Sequence, residues 1–288
     1  MGQKGRKSDR WKRETVMLDT QTPDSRTVVT DFQREYIEKE QLHKKKVVIC
    51  RVMLLVLLLA IWELCARLGI IDDFIFSSPT RVLFCFRDMA LDGSMFRHIG
   101  ITLFETLVSF AIVVAAGLCV AVLLWSSRSA SEILEPYLVM LNSLPKSALA
   151  PMLIVWLGNH IHTIVVAAVS VAIFGSILTL HNGFSGMDPD KIKLIYSLGG
   201  TKKDVLTKVL LPGSLPLIIS NMKVNIGLCL VGVIIGEFLA ANQGLGYLII
   251  YGSQVFQLDL VVMSILILCV ISAGLYQGIA WIEKKVEK

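Results

Sequence analysis

Six apolar blocks, each about twenty residues long, constrain this chain more than any other feature, because that length lets a helix cross the ~30 Å hydrocarbon core of a bilayer. They run roughly from Val47 to Ala66, Ile99 to Trp125, Tyr137 to Trp156, Ile161 to Leu180, Leu215 to Ala240 and Leu260 to Trp281. In lipid no water satisfies exposed backbone N–H and C=O groups, so segments of this kind are read as helices. The fold class expected is all-α, a polytopic membrane protein with six transmembrane helices. Pro145, Lys146 and Pro151 interrupt the third block, which is therefore expected to be a kinked helix.

Only 18% of the 288 residues are charged, too few to clothe a soluble domain of this size. Two regions follow: a polar tail over 1–46 and a membrane domain over 47–288. The tail has no apolar run; its first part is expected to be disordered, with Phe32–Ile37 as a short surface helix. The first apolar block begins too late and is too long for a signal peptide. Lys and Arg set the orientation. With the tail inside and only 27–46 counted from it, the inner segments hold 14 such residues and the outer ones 4. Both termini are thereby placed in the cytoplasm and the protein in the cell membrane.

The net charge of +5 does not point to nucleic acid, since the basic residues lie in the tail and between apolar blocks and no nucleic-acid-binding module fits the loops. The six cysteines, Cys50, Cys65, Cys85, Cys119, Cys229 and Cys269, contain no CxxC pair, and read as small apolar side chains rather than as a metal site or disulfide framework. His160 and His162 stand two apart, a spacing that suits neither a helical metal pair nor a triad. No catalytic constellation is visible.

The segment 187–212, between the fourth and fifth blocks, is the most informative. Asp188-Pro189 is a helix start: a side-chain acceptor for free N–H groups, then a residue whose φ is already set. Gly199-Gly200 ends that helix, because glycine enters the left-handed region without a Cβ penalty. Thr201 and Asp204 have the spacing of a capping box, and a second short helix runs to Pro212. Ile192, Ile195 and Leu198 recur at three-residue spacing on the first helix; Val205, Leu206 and Val209 mark the second. Lysines 191, 193, 202, 203 and 208 surround them. Two readings stand: an amphipathic loop on the membrane surface, or a compact knob that fits a groove on a soluble partner.

The run from Lys193 to Pro212 resembles the cytoplasmic coupling motif of binding-protein-dependent ABC importer permeases. Gly199, Leu211 and Pro212 fall in register with that motif, and Leu215-Pro216 repeats the proline. Lys193-Leu194-Ile195 stands where the motif has Glu-Ala-Ala. Asn142–Pro151 followed by Trp156-Leu157-Gly158, with Glu135-Pro136 ahead of it, resembles the third span of the nitrate, sulfonate and taurine branch. Gly236-Glu237-Phe238 followed by Gly244-Leu245-Gly246-Tyr247-Leu248-Ile249 resembles its fifth span and exit. The likeness covers about Val47 to Trp281.

The resemblance implies the type I importer (MetI-like) fold and a set of partners. These are an ABC ATPase dimer in the cytoplasm, an extracytoplasmic solute-binding protein and a second permease copy, with the bilayer around them. It places ATPase coupling on Lys193, Tyr196, Ser197, Leu198, Gly199, Gly200, Lys202, Lys203, Leu211 and Pro212. The chain has no GxxxxGK[ST] phosphate loop, so the permease itself is expected to be no enzyme and to bind no cofactor, ATP and Mg being used by the partner. The cargo expected from the branch is a small anion such as a sulfonate, taurine or nitrate. A thiamine-precursor pyrimidine is the alternative, and an ion-gradient-driven secondary transporter the rival outside the family. Asn142, Lys146, Asn225 and Glu237, polar groups in apolar surroundings, are candidate pathway residues. Interhelical hydrogen bonding accounts equally for the asparagines, and snorkelling for Lys146. Glu237 reads rather as structural or gating. Gly232 and Gly236 form a GxxxG pair that lets two helices approach closely.

Overall fold

A computed structural model describes residues 31–286, and among them every regular element is helical. The tail before Asp31, expected to be disordered, lies outside the described residues. Described residues up to Leu59 form one unit and those from Ala60 a second. The first helix, α1 (Asp31–Arg67), runs without interruption through the Phe32–Ile37 segment into the first apolar block, so no separate surface helix forms there. From Val48 to Leu58 its apolar side chains are exposed on all faces, as suits a helix surrounded by lipid.

In the second unit a short helix, α2 (Asp73–Phe76), leads to α3 (Pro79–Leu91), then α4 (Ser94–Ser126), α5 (Arg128–Ser143), α6 (Lys146–Leu157) and α7 (Ile161–Ser185). After the 187–213 segment come α11 (Leu215–Ala240), α12 (Leu245–Gln254) and α13 (Leu258–Val286). Five helices, α1 (from Lys46), α4, α7, α11 and α13, are each long and apolar enough to span a membrane. Helix α7 is central, packed against α4 on one side and α11 on the other.

The third apolar block departs from expectation: it forms two helices, α5 and α6, bent by 94° to one another, not one kinked helix. The break has a local cause. Leu144 precedes Pro145, whose ring disfavours the helical conformation in the preceding residue, and Leu144 is extended with ψ 139°. Lys146 closes the gap, its ammonium donating to the Asn142 carbonyl and lying 3.4 Å from Asn142 Oδ1. Pro136 and Pro151 sit inside their helices. With the broken pair taken as one crossing, the spans number six.

Helices α3 and α12, on what the sequence reads as loops, were not anticipated. Helix α3 starts on a signal visible in hindsight, Ser78 as cap with Pro79 at the first helical position. It is clamped at its start: Glu63 accepts from Thr80 N (3.1 Å) and Thr80 Oγ1 (2.6 Å), while Asp259 accepts from Ser77 Oγ (2.7 Å) and pairs with Arg81 (2.9 Å).

Close packing at the centre depends on small residues. A Cβ placed on Gly232 would lie 2.6 Å from the Ala168 Cα, and one on Gly236 would lie 3.0 Å from the Ile164 Cα, so α7 and α11 meet backbone to backbone. Both Asn221 and Asn225 donate to Ser176 Oγ at 2.8 Å across the same interface. Gly232→Ala is expected to destabilise the protein by about 1–3 kcal/mol, since backbone must move to admit the methyl group. Gly227→Ala, where a Cβ meets nothing within 4 Å, should instead gain up to about 1 kcal/mol from helix propensity. Thermal unfolding of the two variants in detergent checks the contrast.

Candidate functional site

The segment between α7 and α11 folds as two short helices around a glycine corner. Helix α8 (Pro189–Ser197) opens with Asp188 accepting from Asp190 N at 2.9 Å. It closes with Gly199 N on the Tyr196 carbonyl (3.0 Å) and Gly200 N on the Ile195 carbonyl (2.9 Å). Gly199 has φ +77°, the left-handed region that admits glycine freely. Gly200 is needed for a different reason: a Cβ there would lie 2.5 Å from Ile195 Cγ2 and 2.8 Å from the Ile195 carbonyl oxygen.

Helix α9 (Lys202–Val205) starts on a reciprocal capping box. Thr201 N donates to Asp204 Oδ2 at 2.8 Å, and Thr201 Oγ1 accepts from Asp204 N at 3.4 Å. Lys208 pairs with Asp204 at 2.8 Å. The bond from Lys208, with those from Thr201, holds the Asp204 carboxyl well below the usual carboxylate range. A depressed carboxylate stabilises above its ordinary pKa and is lost only as pH falls through the lowered value, so the cap stays intact throughout the neutral range. Leu206–Leu210 then widens into a π-turn, in which Leu211 N reaches back five residues to the Leu206 carbonyl; α10 (Leu211–Gly213), with Pro212 inside it, follows.

The two halves of the loop face different surroundings. In the second, Val205 and Leu210 are fully buried, and Leu210 packs with Ala121 of α4 and Leu180 and Phe184 of α7. Lys202, itself exposed, reaches across to α4: its ammonium donates to the Ser126 carbonyl at the end of that helix and lies 5.6 Å from the centre of the Trp125 ring. In the first, Leu194, Tyr196 and Leu198 are exposed, Leu198 to 76% of its surface, beside Lys193 and Lys203. Leu198, spaced like Ile192 and Ile195, lies past the helix end, while those two are half-buried. The expected coupling residues therefore separate. Lys193, Tyr196, Ser197, Leu198, Gly199 and Lys203 are exposed on the knob, Gly200 forms its corner, Lys202 ties it to α4, and Leu211 and Pro212 join it to α11.

The four candidate pathway residues are not brought together. Asn142 and Lys146 hold the α5–α6 break; Asn225 is buried between α7 and α11. Glu237, on α11, belongs to a third cluster. Its carboxylate accepts from Thr102 Oγ1 of α4 (2.7 Å) and from Gly246 N (2.5 Å). Helix α12 begins at Gly244, which offers no side-chain cap, so Glu237 supplies from another helix the acceptor that a capping residue would give. Leu245 N donates to Thr102 Oγ1 and Gly244 N to His98 Nδ1, both at 2.9 Å. Cβ atoms on Gly244 and Gly246 would fall 2.4 and 2.8 Å from Glu237 atoms, which explains both glycines. Thr102 and His98 were missed in the sequence, since a threonine in an apolar run and a histidine at its start carry no spacing signal.

Comparison with known proteins decides the family. Residues 95–288 match the model of the binding-protein-dependent transport system inner membrane component. The chain belongs to that family. This permease is 31% identical, over 228 residues, to a probable ABC transporter permease protein of Haemophilus influenzae, covering 78% of this chain and 91% of that one. It is 26% identical, over 232 residues, to the putative aliphatic sulfonates transport permease protein SsuC of Bacillus subtilis, covering 80% and 84%. Its fold matches a chain of the MetNI methionine ABC transporter in an inward-facing conformation, with TM-score 0.60 and 19% identity, over 68% of this chain and 98% of that one. The permease is thus a multi-pass inner-membrane protein of MetI-like fold, the transport subunit of an ABC importer, in a family that works with an ATPase and a solute-binding protein.

Glu237→Ala should leave Gly246 N and Thr102 Oγ1 without their acceptor in a buried setting, at a cost of about 2–4 kcal/mol. Amide hydrogen exchange over 244–254 should accelerate in this variant while exchange over 189–205 stays unchanged; unaltered exchange in 244–254 would contradict the capping role.

Proposed function

We propose that the chain carries solute across the cytoplasmic membrane by alternating access, driven by a separate ATPase dimer that grips the 189–205 knob. The observation that carries this reading is the division of the loop into an exposed apolar tip and a buried root. A tip that exposes Leu194, Tyr196 and Leu198 suits a groove on a soluble protein. A root fixed by Val205, Leu210 and Lys202 would pass displacement of the tip to α4, α7 and α11 rather than absorb it. ATP and Mg bind and react on the partner, and the permease receives only movement.

In this reading the knob and both termini face the cytoplasm, in keeping with the excess of Lys and Arg on that side. A second copy of the chain completes the pathway, and an extracytoplasmic receptor delivers the cargo. Similarity to the sulfonate permease supports a small anion such as a sulfonate, taurine or nitrate as that cargo.

The test is a glycine substitution at the corner. Gly200→Val places branched carbon where the Ile195 backbone already stands, and Gly199→Val forces a β-branched residue into the left-handed region. Each should lower ATP-driven uptake in reconstituted vesicles at least tenfold while the protein still inserts and folds. Wild-type uptake in both variants would remove the loop from the coupling path.

A further inference from the structure

Helix α3 is held between the ends of three membrane spans. At its start, Thr80 Oγ1 donates to Glu63, four residues before the end of α1, and Arg81 pairs with Asp259, the second residue of α13. At its finish, Asp92 and Gly93 alone separate it from α4, whose first residue, Ser94, donates through its hydroxyl to the Met89 carbonyl (3.4 Å). These span ends lie away from the knob, which meets the opposite end of α4 at Ser126. A helix of 13 residues is about 20 Å long. Fastened to span ends at both of its own ends, α3 runs along the membrane boundary rather than through it.

The two sides of α3 are both apolar. On the inner side, Val82, Cys85 and Met89 pack with Met95, Leu260 and Met263. The opposite side of a helix facing water would be polar. Here it carries Leu83, Phe84 and Leu91, exposed to 67%, 54% and 77% of their surface. Arg87 stands among them, with its guanidinium 6.0 Å from the centre of the Phe84 ring. An apolar face with a long cationic side chain rising from it is the pattern of a helix lying where acyl chains meet headgroups.

That face does not end with α3. Leu64 at the end of α1 and Phe74, Ile75 and Phe76 of α2 are exposed before it. After it, Phe96, Phe104 and Leu107 recur at helical spacing on one exposed stripe of α4, a helix long and apolar enough to span the bilayer. The apolar side of α3 thus continues, in both directions along the chain, the exposed apolar surface of membrane spans.

We propose that α3 is an interfacial anchor whose face of Leu83, Phe84 and Leu91 is seated in lipid. It lies in the leaflet away from the knob, at the level where acyl chains meet phospholipid headgroups, with Arg87 reaching towards the phosphates. The anchor fixes the depth of the ends of α1, α4 and α13 to which α3 is tied. It depends neither on the coupling role of the knob nor on the identity of the transported solute.

The experiment uses the full-length wild-type protein in phosphatidylcholine nanodiscs and maps photolabelling by mass spectrometry. Two reagents are phosphatidylcholines with a diazirine on the acyl chain, one close to the glycerol and one at the chain end; the third is a water-soluble diazirine. Residues 83–91 should be labelled severalfold more by the glycerol-proximal lipid than by the water-soluble reagent. Residues 53–58, midway along the membrane part of α1, should instead favour the chain-end lipid. Labelling of 83–91 mainly from water would overturn the proposal and leave this face to a soluble partner. Labelling by none of the three would overturn it in favour of contact between copies of the chain, and a chain-end preference like that of 53–58 would overturn the interfacial depth. Because the readout needs neither ATP nor transport, failure here is distinct from failure of the coupling role.

Discussion

Everything in this molecule rests on how helix ends are satisfied in a solvent that offers no hydrogen bonds. A continuous membrane helix satisfies its own backbone, but each place where a helix stops within or near the bilayer leaves donors or acceptors that must be met by protein. The structure meets them with side chains borrowed from elsewhere. Lys146 serves the carbonyl end of α5, Glu237 the amide end of α12, and Lys202 the carbonyl end of α4. Each is a charged group matched in sign to the helix dipole it meets, cations at carbonyl ends and a carboxylate at an amide end. The charges that look out of place in an apolar sequence are the ones that let helices end.

The same device links the parts that would have to move together. Lys202 fastens the loop to the last turn of α4, and Leu210 seats its root between α4 and α7. At the far end of α4, Thr102 joins Glu237 of α11 and the start of α12. Helix α4 thus touches the knob at one end and the acidic cluster at the other, while close packing of α7 on α11 through Gly232 and Gly236 keeps the centre stiff. A displacement entering at the knob has a continuous packed route to the opposite side.

Much of this was legible in residues alone, and the boundary is physical. Length and hydropathy gave the spans, and local chemistry gave the loop: Asp188-Pro189, Gly199-Gly200 and the Thr201–Asp204 box depend only on near neighbours. The break at Leu144-Pro145 was foreseen as a kink only, because the size of a bend depends on whether a group such as Lys146 can close the freed carbonyl. The role of Glu237 was out of reach for another reason: it caps a helix that starts eight residues later, in company with Thr102, which lies 135 positions earlier. Periodicity does not report pairings of that span. Lys202 likewise reads as one of five lysines in the loop, and only the structure shows that it reaches the end of α4.

The central claim is that the knob over 189–205, through its exposed Leu194, Tyr196 and Leu198, is where an ATPase partner takes hold. Hydrogen exchange on the permease, alone and in complex with its ATPase, measures this directly. The account predicts slower exchange concentrated in 189–205 on complex formation; unchanged exchange there, with protection in another segment, would contradict it.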